Sequence, residues 1–464
     1  MSMFRGNPIL NTDSYKASHY LQSPPSTTNI SSYIQSRGGD YDETVLFGPQ
    51  AWIKTYVEGT KVTYGDVLDA EKFWAAHGLP FNKEGWLRIV NHWGGHYPIE
   101  IEAVDEGTVL PTGNVLLQIR NTDPELPWVT SYLETSLLRG IWYPTTVATR
   151  SRHIKKIIKR YLDETADNAD GLMFKLHDFG ARGVSSYESA ILGGMAHLVN
   201  FMGSDTTVAI EAARHFYNED MAGYSIPAAE HSTITAWGEE NEAKAYANMI
   251  DKFGGPGKLV AVVSDSYDIY NAARNIWGKE LKEKVKSFGG TLVVRPDSGN
   301  PASTVLGVLN ILGERFGTTI NSKGYAMLPP YLRVIQGDGV NEHSINDILN
   351  VLKVKGWSAD NVAFGMGGEL LQTVNRDTLK FAMKANAISS DGGTSWKDVY
   401  KKPVGDASKA SKAGRLMLVK TQKGYETRKA DRLFEGENLL KTRLHNHQIL
   451  NPTTFAEIRK RAAL

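Results

Sequence analysis

The feature that most constrains the fold is a repeated order of strand, polar loop and helix in the second half of the chain. Four apolar, β-rich runs recur about every 30–40 residues, which is the length of a βα unit. Helical patterns follow two of these runs, at 303–317 and 344–356. This alternation predicts βα units and a parallel sheet. The four apolar, β-rich runs are "KLVAVVSDSYD" (258–268), "GTLVVRPDSGNP" (290–301), "YLRVIQGDGVN" (331–341) and "NVAFGMGGELL" (361–371).

Charged residues and glycines stand where these strands are predicted to end. Two earlier segments, 172–183 and 198–207, fit the same pattern more loosely. In a parallel α/β barrel the C-terminal ends of the strands meet on one face, so their loop residues should converge. One aspartate after a strand is usually a helix cap, but a whole set favours a site. The set is His177, Arg182, Asp205, Asp265, Arg295, Asp297, Asp338, Gly367 and Gly368.

The first 150 residues read differently. Residues 96–123 alternate in short apolar stretches between turn residues such as Pro111 and Gly113, which predicts a smaller β-rich part. Segments 128–143 and 149–166 have helical patterns.

Composition excludes several classes of protein. The chain of 464 residues has 52 Lys and Arg against 51 Asp and Glu, a balance that argues against a general nucleic-acid or membrane-surface binder. It has no cysteine, which excludes disulfides, thiolate metal sites and cysteine nucleophiles. No apolar stretch resembles a signal peptide or a membrane span, so a cytoplasmic location is expected.

The motif "HDFG" (177–180) allows two other interpretations, and both fail. A protein kinase would need an HRD-type loop before the motif and a glycine-rich loop near the N-terminus. A metal-dependent phosphohydrolase would need further histidine ligands, yet neither His197 nor His215 is followed by aspartate.

Taken together, the loop residues suit a phosphorylated sugar that carries a diphosphate. Arginine forks bind phosphate. Aspartates bind ribose hydroxyls or a metal chelated to diphosphate. Glycines let the backbone come close to an anion. The residues are Arg182, Arg295 and Arg376, then Asp265, Asp297 and Asp338, then Gly337, Gly367 and Gly368.

His231 lies in "GYSIPAAEHSTITAW" (223–237). Pro227 suits a first helical position, and the alanines after it continue a helix easily. The pattern therefore predicts a helix from Pro227, with His231 and Ile234 on one stripe. By itself such a histidine is more often a capping or core residue.

Eight stretches of this chain resemble the nicotinate/nicotinamide phosphoribosyltransferase family, most closely its nicotinamide-using members. The resemblance runs in register from about residue 7 to 460. The stretches are "TDSYKASHY" (12–20), "HDFGARGVSS" (177–186), "GSDTT" (203–207), "GYSIPAAEHSTITAWG" (223–238), "VVSDSYDIYNA" (262–272), "RPDSGNP" (295–301), "LPPYLRVIQGDGV" (328–340) and "AFGMGGELLQ" (363–372).

The resemblance implies a type II phosphoribosyltransferase fold of the α/β class. It has an irregular parallel barrel-like domain and a smaller β-rich domain built from N- and C-terminal segments. The expected domains are 1–150, an α+β part with the β-rich subdomain; 151–385, the catalytic barrel; and 386–464, a segment packing back on the N-terminal part.

The family joins nicotinamide to 5-phosphoribosyl 1-diphosphate, and forms nicotinamide mononucleotide and diphosphate in NAD salvage. The resemblance implies Mg²⁺, ATP as a co-substrate, and an obligate homodimer with two shared active sites. It also implies that ATP phosphorylates His231, whose ring Glu230 and Asp265 would hold.

Further roles carry over by position. Phe179 would stack on the pyridine, with Tyr15 of the partner subunit on the other face, and Asp205 would accept the carboxamide N–H. Other implied substrate contacts are Asp13, Arg182, Ser225, Arg295, Asp297, Gly337, Asp338, Gly367, Gly368 and Arg376. Implied phosphate or ATP contacts are Arg37, His177, Arg182, His231, Arg295, Lys384, Lys401 and Lys409.

Two alternatives stay open. A nicotinate phosphoribosyltransferase would share the fold and differ in the base; Asp205 argues against it, because two anions held without a counter-charge repel. A non-catalytic binding or signalling relative is the other. The intact set of His231, Asp297, Arg295 and Asp205 argues for catalysis.

Overall fold

The computed structural model describes residues 6–405, 410–430 and 436–464. Its strands are β1 (Asn29–Gln35), β2 (Glu43–Val45), β3 (Ile99–Ala103), β4 (Val109–Pro111), β5 (Val115–Asn121), β6 (Leu176–Asp178), β7 (Gly203–Ser204), β8 (Leu259–Val263), β9 (Thr291–Arg295), β10 (Thr319–Ile320), β11 (Ala326–Met327), β12 (Leu332–Gln336), β13 (Val362–Met366), β14 (Ala382–Ser389), β15 (Lys397–Asp398), β16 (Leu416–Thr421), β17 (Gly424–Lys429), β18 (Lys441–His445) and β19 (Gln448–Ile449).

The α-helices are α1 (Pro49–Ile53), α2 (Tyr64–His77), α3 (Lys83–Trp93), α4 (Val129–Tyr132), α5 (Glu134–Thr165), α6 (Tyr187–Leu198), α7 (Thr207–Tyr217), α8 (His231–Thr235), α9 (Glu242–Phe253), α10 (Ile269–Asn271), α11 (Lys282–Ser287), α12 (Pro301–Phe316), α13 (Glu342–Val354), α14 (Gly368–Leu371) and α15 (Phe455–Ala462). Among the described residues, none of these helices combines the length and the apolar character needed to cross a membrane.

Contacts divide the described residues into two compact units. The first contains residues up to Thr149, Ala212–Asp220 and Val374–Ala463. The second contains Arg150–Glu211 and Met221–Thr373. The domain boundaries expected after residues 150 and 385 remain predictions.

The first unit is built on an antiparallel sheet in the order β15-β14-β1-β5-β3-β18-β19. Strands β14, β15, β18 and β19 come from the C-terminal part of the chain, which confirms a β-rich part assembled from both ends. The strands predicted within 96–123 are present as β3, β4 and β5.

The second unit is built on a parallel sheet in the order β7-β6-β13-β12-β9-β8. The four strands predicted from the sequence rhythm are present as β8, β9, β12 and β13, and the two loosely fitting segments contain β6 and β7. The βα pattern therefore predicted the sheet correctly.

Residues 224–229, here called the bridging segment, are hydrogen-bonded to both edges of this sheet. The backbone N–H of Ser204 donates to Tyr224 O at 3.0 Å, beside β7. Further along the segment, the N–H of Ala261 donates to Pro227 O at 2.9 Å, beside β8. One short segment can reach both edges only because the sheet curls.

The bridging segment corrects one prediction. A helix was expected from Pro227, but α8 begins at His231, and Glu230 is its extended N-cap residue with φ −110° and ψ 167°. The local preference for helix is overridden here because the backbone of Pro227 and Ala229 forms hydrogen bonds with β8.

The curled sheet encloses a small apolar layer. Four of its six members come from one position each on β8, β9, β12 and β13, as expected when inward-facing side chains stack inside a barrel. The buried members are Ala261, Val293 and Ile335, and Phe179, Ile226 and Ala363 pack against them.

Replacing Ala229 by proline tests the bridging segment. The N–H of Ala229 donates to Ala261 O at 3.0 Å, and proline removes that donor. We expect Ala229→Pro to lower the free energy of unfolding by about 1–3 kcal/mol and to speed hydrogen exchange across residues 224–231. Ala228→Pro is the matched control, because the N–H of Ala228 takes part in neither hydrogen bond to Ala261. Equal effects of the two prolines would contradict the assignment.

Candidate active site

Three aspartates follow three neighbouring strands, and none of them caps the next helix. Asp268 caps α10, Asn300 caps α12 and Asn341 caps α13, each through a side-chain oxygen that accepts backbone N–H groups. Each cap stands three residues beyond a predicted site residue: Asp265, Asp297 and Asp338 respectively. The helices thus have their own caps, and the three aspartates are left for another role.

His231 is held between two of these aspartates. Its Nε2 lies 3.0 Å from Asp265 Oδ1, and its Nδ1 lies 3.9 Å from Asp297 Oδ2. The second oxygen of Asp265 accepts the backbone N–H of Asp297 at 3.0 Å. Asp265 therefore orients both the ring and the neighbouring loop, while the His231 side chain is 46% exposed and open to a ligand.

Glu230, the other residue expected to hold the ring, has a different local partner. Its carboxylate accepts from the Ser232 hydroxyl, and Thr233 Oγ1 accepts its backbone N–H at 3.2 Å. The residue therefore shapes the start of α8.

Arg295 supplies positive charge next to Asp297. Its Nη2 lies 3.6 Å from Asp297 Oδ2. Burial raises the pKa of Asp297, which Arg295 and His231 lower and Asp265 and Asp338 raise further. Arg295 Nε is buried without a hydrogen-bond partner among the described residues. An unpaired buried donor is costly and typical of a site where a ligand or water supplies the acceptor.

Asp205 is exposed after β7 and is held by the bridging segment. The Ser225 hydroxyl donates to Asp205 Oδ1 at 2.5 Å. The backbone N–H of Asp205 donates to Asp178 O at 2.9 Å. One carboxylate oxygen of Asp205 is thus engaged, and Oδ2 is left to accept from a ligand.

Phe179 owes its position to a glycine on the neighbouring strand. An ideal Cβ on Gly365 would lie 1.9 Å from Phe179 Cε2, so the ring occupies the space of the missing side chain. The backbone N–H of Phe179 donates to Met366 O at 3.0 Å. The ring lines the inside of the sheet, near the strand ends that carry the charged residues.

Two other predicted site residues also rely on glycines. The His177 ring lies over Gly203, where an ideal Cβ would be 2.4 Å from Nδ1, and burial lowers the pKa of His177. Asp297 Oδ1 lies over Gly337, where a Cβ would be 2.6 Å away. Because glycine has no Cβ, these two positions let the His177 and Asp297 side chains approach the backbone closely.

The remaining predicted residues of the second unit follow β6, β12 and β13 in the chain. Asp338 and Arg182 are exposed, and Gly367 and Gly368 stand at the start of α14. Gly183, next to Arg182, has its Cβ position 3.0 Å from Gly368 N, so the two loops are in close contact.

The first unit contains a separate cluster of cations. Partial desolvation lowers the pKa of Lys384, Glu134 raises it, and nearby Arg37, Lys401 and Arg376 lower it further. Four cations so close together suit a polyanion. Lys409 lies outside the described residues.

Two more predicted residues of the first unit stand near the N-terminus. The Thr135 hydroxyl donates to Asp13 Oδ2 at 2.6 Å. Tyr15 is 58% exposed, and its ring meets that of His19 edge-on at 5.0 Å between centroids. An exposed aromatic face is available for stacking.

Sequence reasoning did not assign Gly365, Gly203 or Asp178. Gly365 and Asp178 lie within motifs that were noticed, but their roles depend on contacts across strands. Strand alternation offers one signal: His177 and Phe179 share a face, so Asp178 must point the other way.

Gly365→Ala tests the packing of Phe179. A methyl group at residue 365 must displace the ring, so we expect the free energy of unfolding to fall by about 1–3 kcal/mol and the ring to move in a crystal structure. Gly171→Ala is the control, because its nearest neighbouring atom would be 3.7 Å away. An unmoved ring with unchanged stability would contradict this account.

Comparison with known proteins agrees with this geometry. Residues 174–447 match the model of the nicotinate phosphoribosyltransferase (NAPRTase) family, and residues 7–101 match the nicotinamide phosphoribosyltransferase N-terminal domain. The chain is 52% identical to a nicotinamide phosphoribosyltransferase of Xanthomonas campestris pv. campestris, over 98% of both chains. It is 34% identical to a nicotinamide phosphoribosyltransferase of Mycoplasma pneumoniae, over 88% of this chain and 95% of the relative.

The fold is shared with solved structures. A nicotinate-nucleotide pyrophosphorylase from Pyrococcus furiosus superposes with a TM-score of 0.65 at 18% identity, covering 100% of this chain and 97% of that one. The type II phosphoribosyltransferase fold expected from the sequence is therefore confirmed. With a family match over more than half of its length and a relative at 52% identity, the chain belongs to the nicotinate phosphoribosyltransferase family.

Proposed function

We propose that this chain is a nicotinamide phosphoribosyltransferase that joins nicotinamide to 5-phosphoribosyl 1-diphosphate in NAD salvage, in the cytoplasm. The observation that carries the proposal is the carboxylate of Asp205, exposed and held by Ser225, on the same sheet as Phe179. An aromatic face and a hydrogen-bond acceptor suit a pyridine ring with a carboxamide. The 52% identical relative has this activity in its name.

The reaction forms a bond from the pyridine nitrogen to C1 of ribose and breaks the bond from C1 to the diphosphate oxygen. Charge develops on the sugar and on the leaving diphosphate. Arg295, Arg182 and the glycine loops would stabilise the leaving group, since preorganised cations and N–H groups lower such a barrier. Asp297 and Asp338 would face the ribose and its developing positive charge.

Mg²⁺ is proposed to enter bound to the diphosphate. No group of three or more His, Asp or Glu side chains among the described residues is arranged to hold a metal, whereas Asp297 and Asp338 offer the carboxylate oxygens that Mg²⁺ accepts beside substrate phosphates. When bound, the ion would neutralise diphosphate charge.

The geometry of His231 suits a phosphate acceptor. Asp265, as an acceptor, places the ring proton on Nε2 and leaves the lone pair on Nδ1. That lone pair would attack the γ-phosphorus of ATP; the bond to the ADP oxygen breaks and ADP leaves. The resulting phosphohistidine would help hold the sugar diphosphate with its metal.

The central experiment incubates pure protein with labelled nicotinamide or nicotinate, the sugar diphosphate and Mg²⁺, with and without ATP. We expect nicotinamide mononucleotide, and faster formation with ATP. Nicotinate mononucleotide as the main product would establish the alternative base, and no product from either base would favour a binding protein.

Asp205→Asn should weaken the choice of base. Asparagine keeps the shape, removes the charge and can offer an N–H to a carboxylate. The preference in kcat/KM for nicotinamide over nicotinate should shrink by about 1–3 kcal/mol, the cost of a polar group left mispaired once the bound base covers it. Ser225→Ala is the control, since it keeps the charge and should change both bases alike. An unchanged preference in Asp205→Asn would show that this carboxylate does not read the amide.

His231→Ala should abolish acid-labile phosphate on the protein and nicotinamide-independent ATP hydrolysis. Slower synthesis without ATP should remain, because the arginines and Mg²⁺ still stabilise the leaving diphosphate. His343→Ala is the matched control, since His343 is 88% exposed in the same unit. Acid-labile phosphate persisting on His231→Ala would rule the role out, and a loss of thermal stability with an intact ATP response would indicate a merely structural histidine.

We further propose a homodimer in which the cation cluster, Asp13 and Tyr15 serve the site of the partner subunit. These residues lie in the first unit, whereas His231 and Asp297 lie in the second.

Mixing Asp297→Ala with Tyr15→Ala tests the shared site. If each site draws on both copies, half of the dimers are hybrids with one unaltered site, and about a quarter of wild-type activity should return. As a control, each variant is taken through the same mixing procedure alone, and it should stay inactive. Hybrids that form, as shown by native mass spectrometry, but stay inactive would refute the shared site.

A further inference from the structure

We propose that Asp178 is a positioning residue that sets the distance between the Phe179 ring and the Asp205 carboxylate. The inference rests on the proposed function, because it takes these two groups as the ones that bind nicotinamide. Asp178 itself is fully buried at the end of β6 and does not face the site.

Asp178 is hydrogen-bonded to both of the loops that carry these groups. Its Oδ1 accepts the backbone N–H of Gly180 at 2.7 Å, which fixes the turn that carries Phe179. Its backbone oxygen accepts the N–H of Asp205 at 2.9 Å. Asp178 is therefore connected directly to both base-binding residues: Phe179 is the next residue in the chain, and Asp205 is bound through its backbone N–H.

The other carboxylate oxygen of Asp178 faces a polar neighbour. Asp178 Oδ2 and Thr206 Oγ1 are both buried without a partner that meets hydrogen-bond geometry among the described residues. Both side chains pack around Gly194: an ideal Cβ there would lie 3.3 Å from Asp178 Oδ2 and 3.0 Å from Thr206 Cγ2. A protonated Asp178 has an O–H to offer Thr206, whose neighbour in the chain is Asp205.

The charges around Asp178 favour that neutral form. Asp205 is the anion facing it from the loop after β7; His177 is on its own strand, and burial lowers the pKa of that imidazole. The helices α6 and α7 present Gly194 and Ala209. Burial, and to a smaller extent the charge of Asp205, raise the pKa of Asp178 to about 6, against the N–H of Gly180 and the hydroxyl of Thr206, which lower it.

Ionisation of Asp178 should therefore disturb the base site. Above about pH 6, the carboxylate of Asp178 at the end of β6 and that of Asp205 in the loop after β7 repel each other. We expect this repulsion to push the loop after β7 away from β6, which would loosen contacts with nicotinamide and leave those with the sugar diphosphate unchanged. In wild-type protein the KM for nicotinamide should rise as the pH passes through this range.

The test measures kcat and both KM values from about pH 5 to 8 for wild type, Asp178→Asn and Asp178→Ala. Asparagine keeps an acceptor for Gly180 and a donor for Thr206 and cannot ionise, so its KM for nicotinamide should stay low and flat across the range. Alanine removes both contacts and should raise the KM for nicotinamide about tenfold or more, with the KM for the sugar diphosphate changed less than about threefold.

Asn361→Ala is the matched control. Asn361 is also a fully buried polar side chain, but it precedes β13, at the opposite end of the sheet, and binds Leu328 N–H. Asn361→Ala should lower the thermal stability of the protein, and it should not raise the KM for nicotinamide more than the KM for the sugar diphosphate. If Asp178→Ala does not fold, the flat pH response of Asp178→Asn still decides the matter.

Three outcomes are distinguishable. The inference would be overturned if Asp178→Asn and Asp178→Ala shifted both KM values equally. It would also be overturned if these variants only lowered thermal stability, as Asn361→Ala should. A pH-dependent KM that persists in Asp178→Asn would overturn it as well. Wild-type protein that forms no nicotinamide mononucleotide would instead overturn the proposed function.

Discussion

Backbone hydrogen bonds from the bridging segment, residues 224–229, to both edges of the parallel sheet are the constraint on which the site depends. An open parallel sheet would leave unpaired N–H and C=O groups at β7 and β8. Pairing both edges with one segment forces the sheet to curl. The same segment brings Ser225 against Asp205 at one edge and delivers His231 to Asp265 at the other.

The curl concentrates charge that the sequence spreads over more than 130 residues, from Asp205 to Asp338. Burial and repulsion from Asp265 both raise the pKa of Asp297. His231 and Arg295 offset part of this repulsion. A substrate with both a cationic transition state and a metal-bound diphosphate would offset the rest, which is why such a cluster suits phosphoribosyl transfer.

Missing side chains matter as much as charged ones. The Phe179 ring fills the space beside Gly365, and Asp297 lies over Gly337. A Cβ at either of these two positions would occupy the space that the Phe179 ring or the Asp297 carboxylate now fills. Close packing makes this a steep constraint, because interiors transmit a displacement of even one methyl group. The glycines thus define where the charged and aromatic groups stand.

The sequence by itself determined the parallel sheet, the loops that carry the site and the family, because βα periodicity and long motifs are local patterns. It also placed Asp265, Asp297 and Asp338 after their strands, but could not tell a site residue from a helix cap. Only the tertiary structure decided that Asp268, Asn300 and Asn341 are the caps. It also decided that Pro227–Glu230 is extended rather than helical, since pairing with β8 outweighs local helix propensity. The roles of Gly365 and Asp178 likewise arise from contacts between strands and loops distant in sequence, which no local pattern encodes.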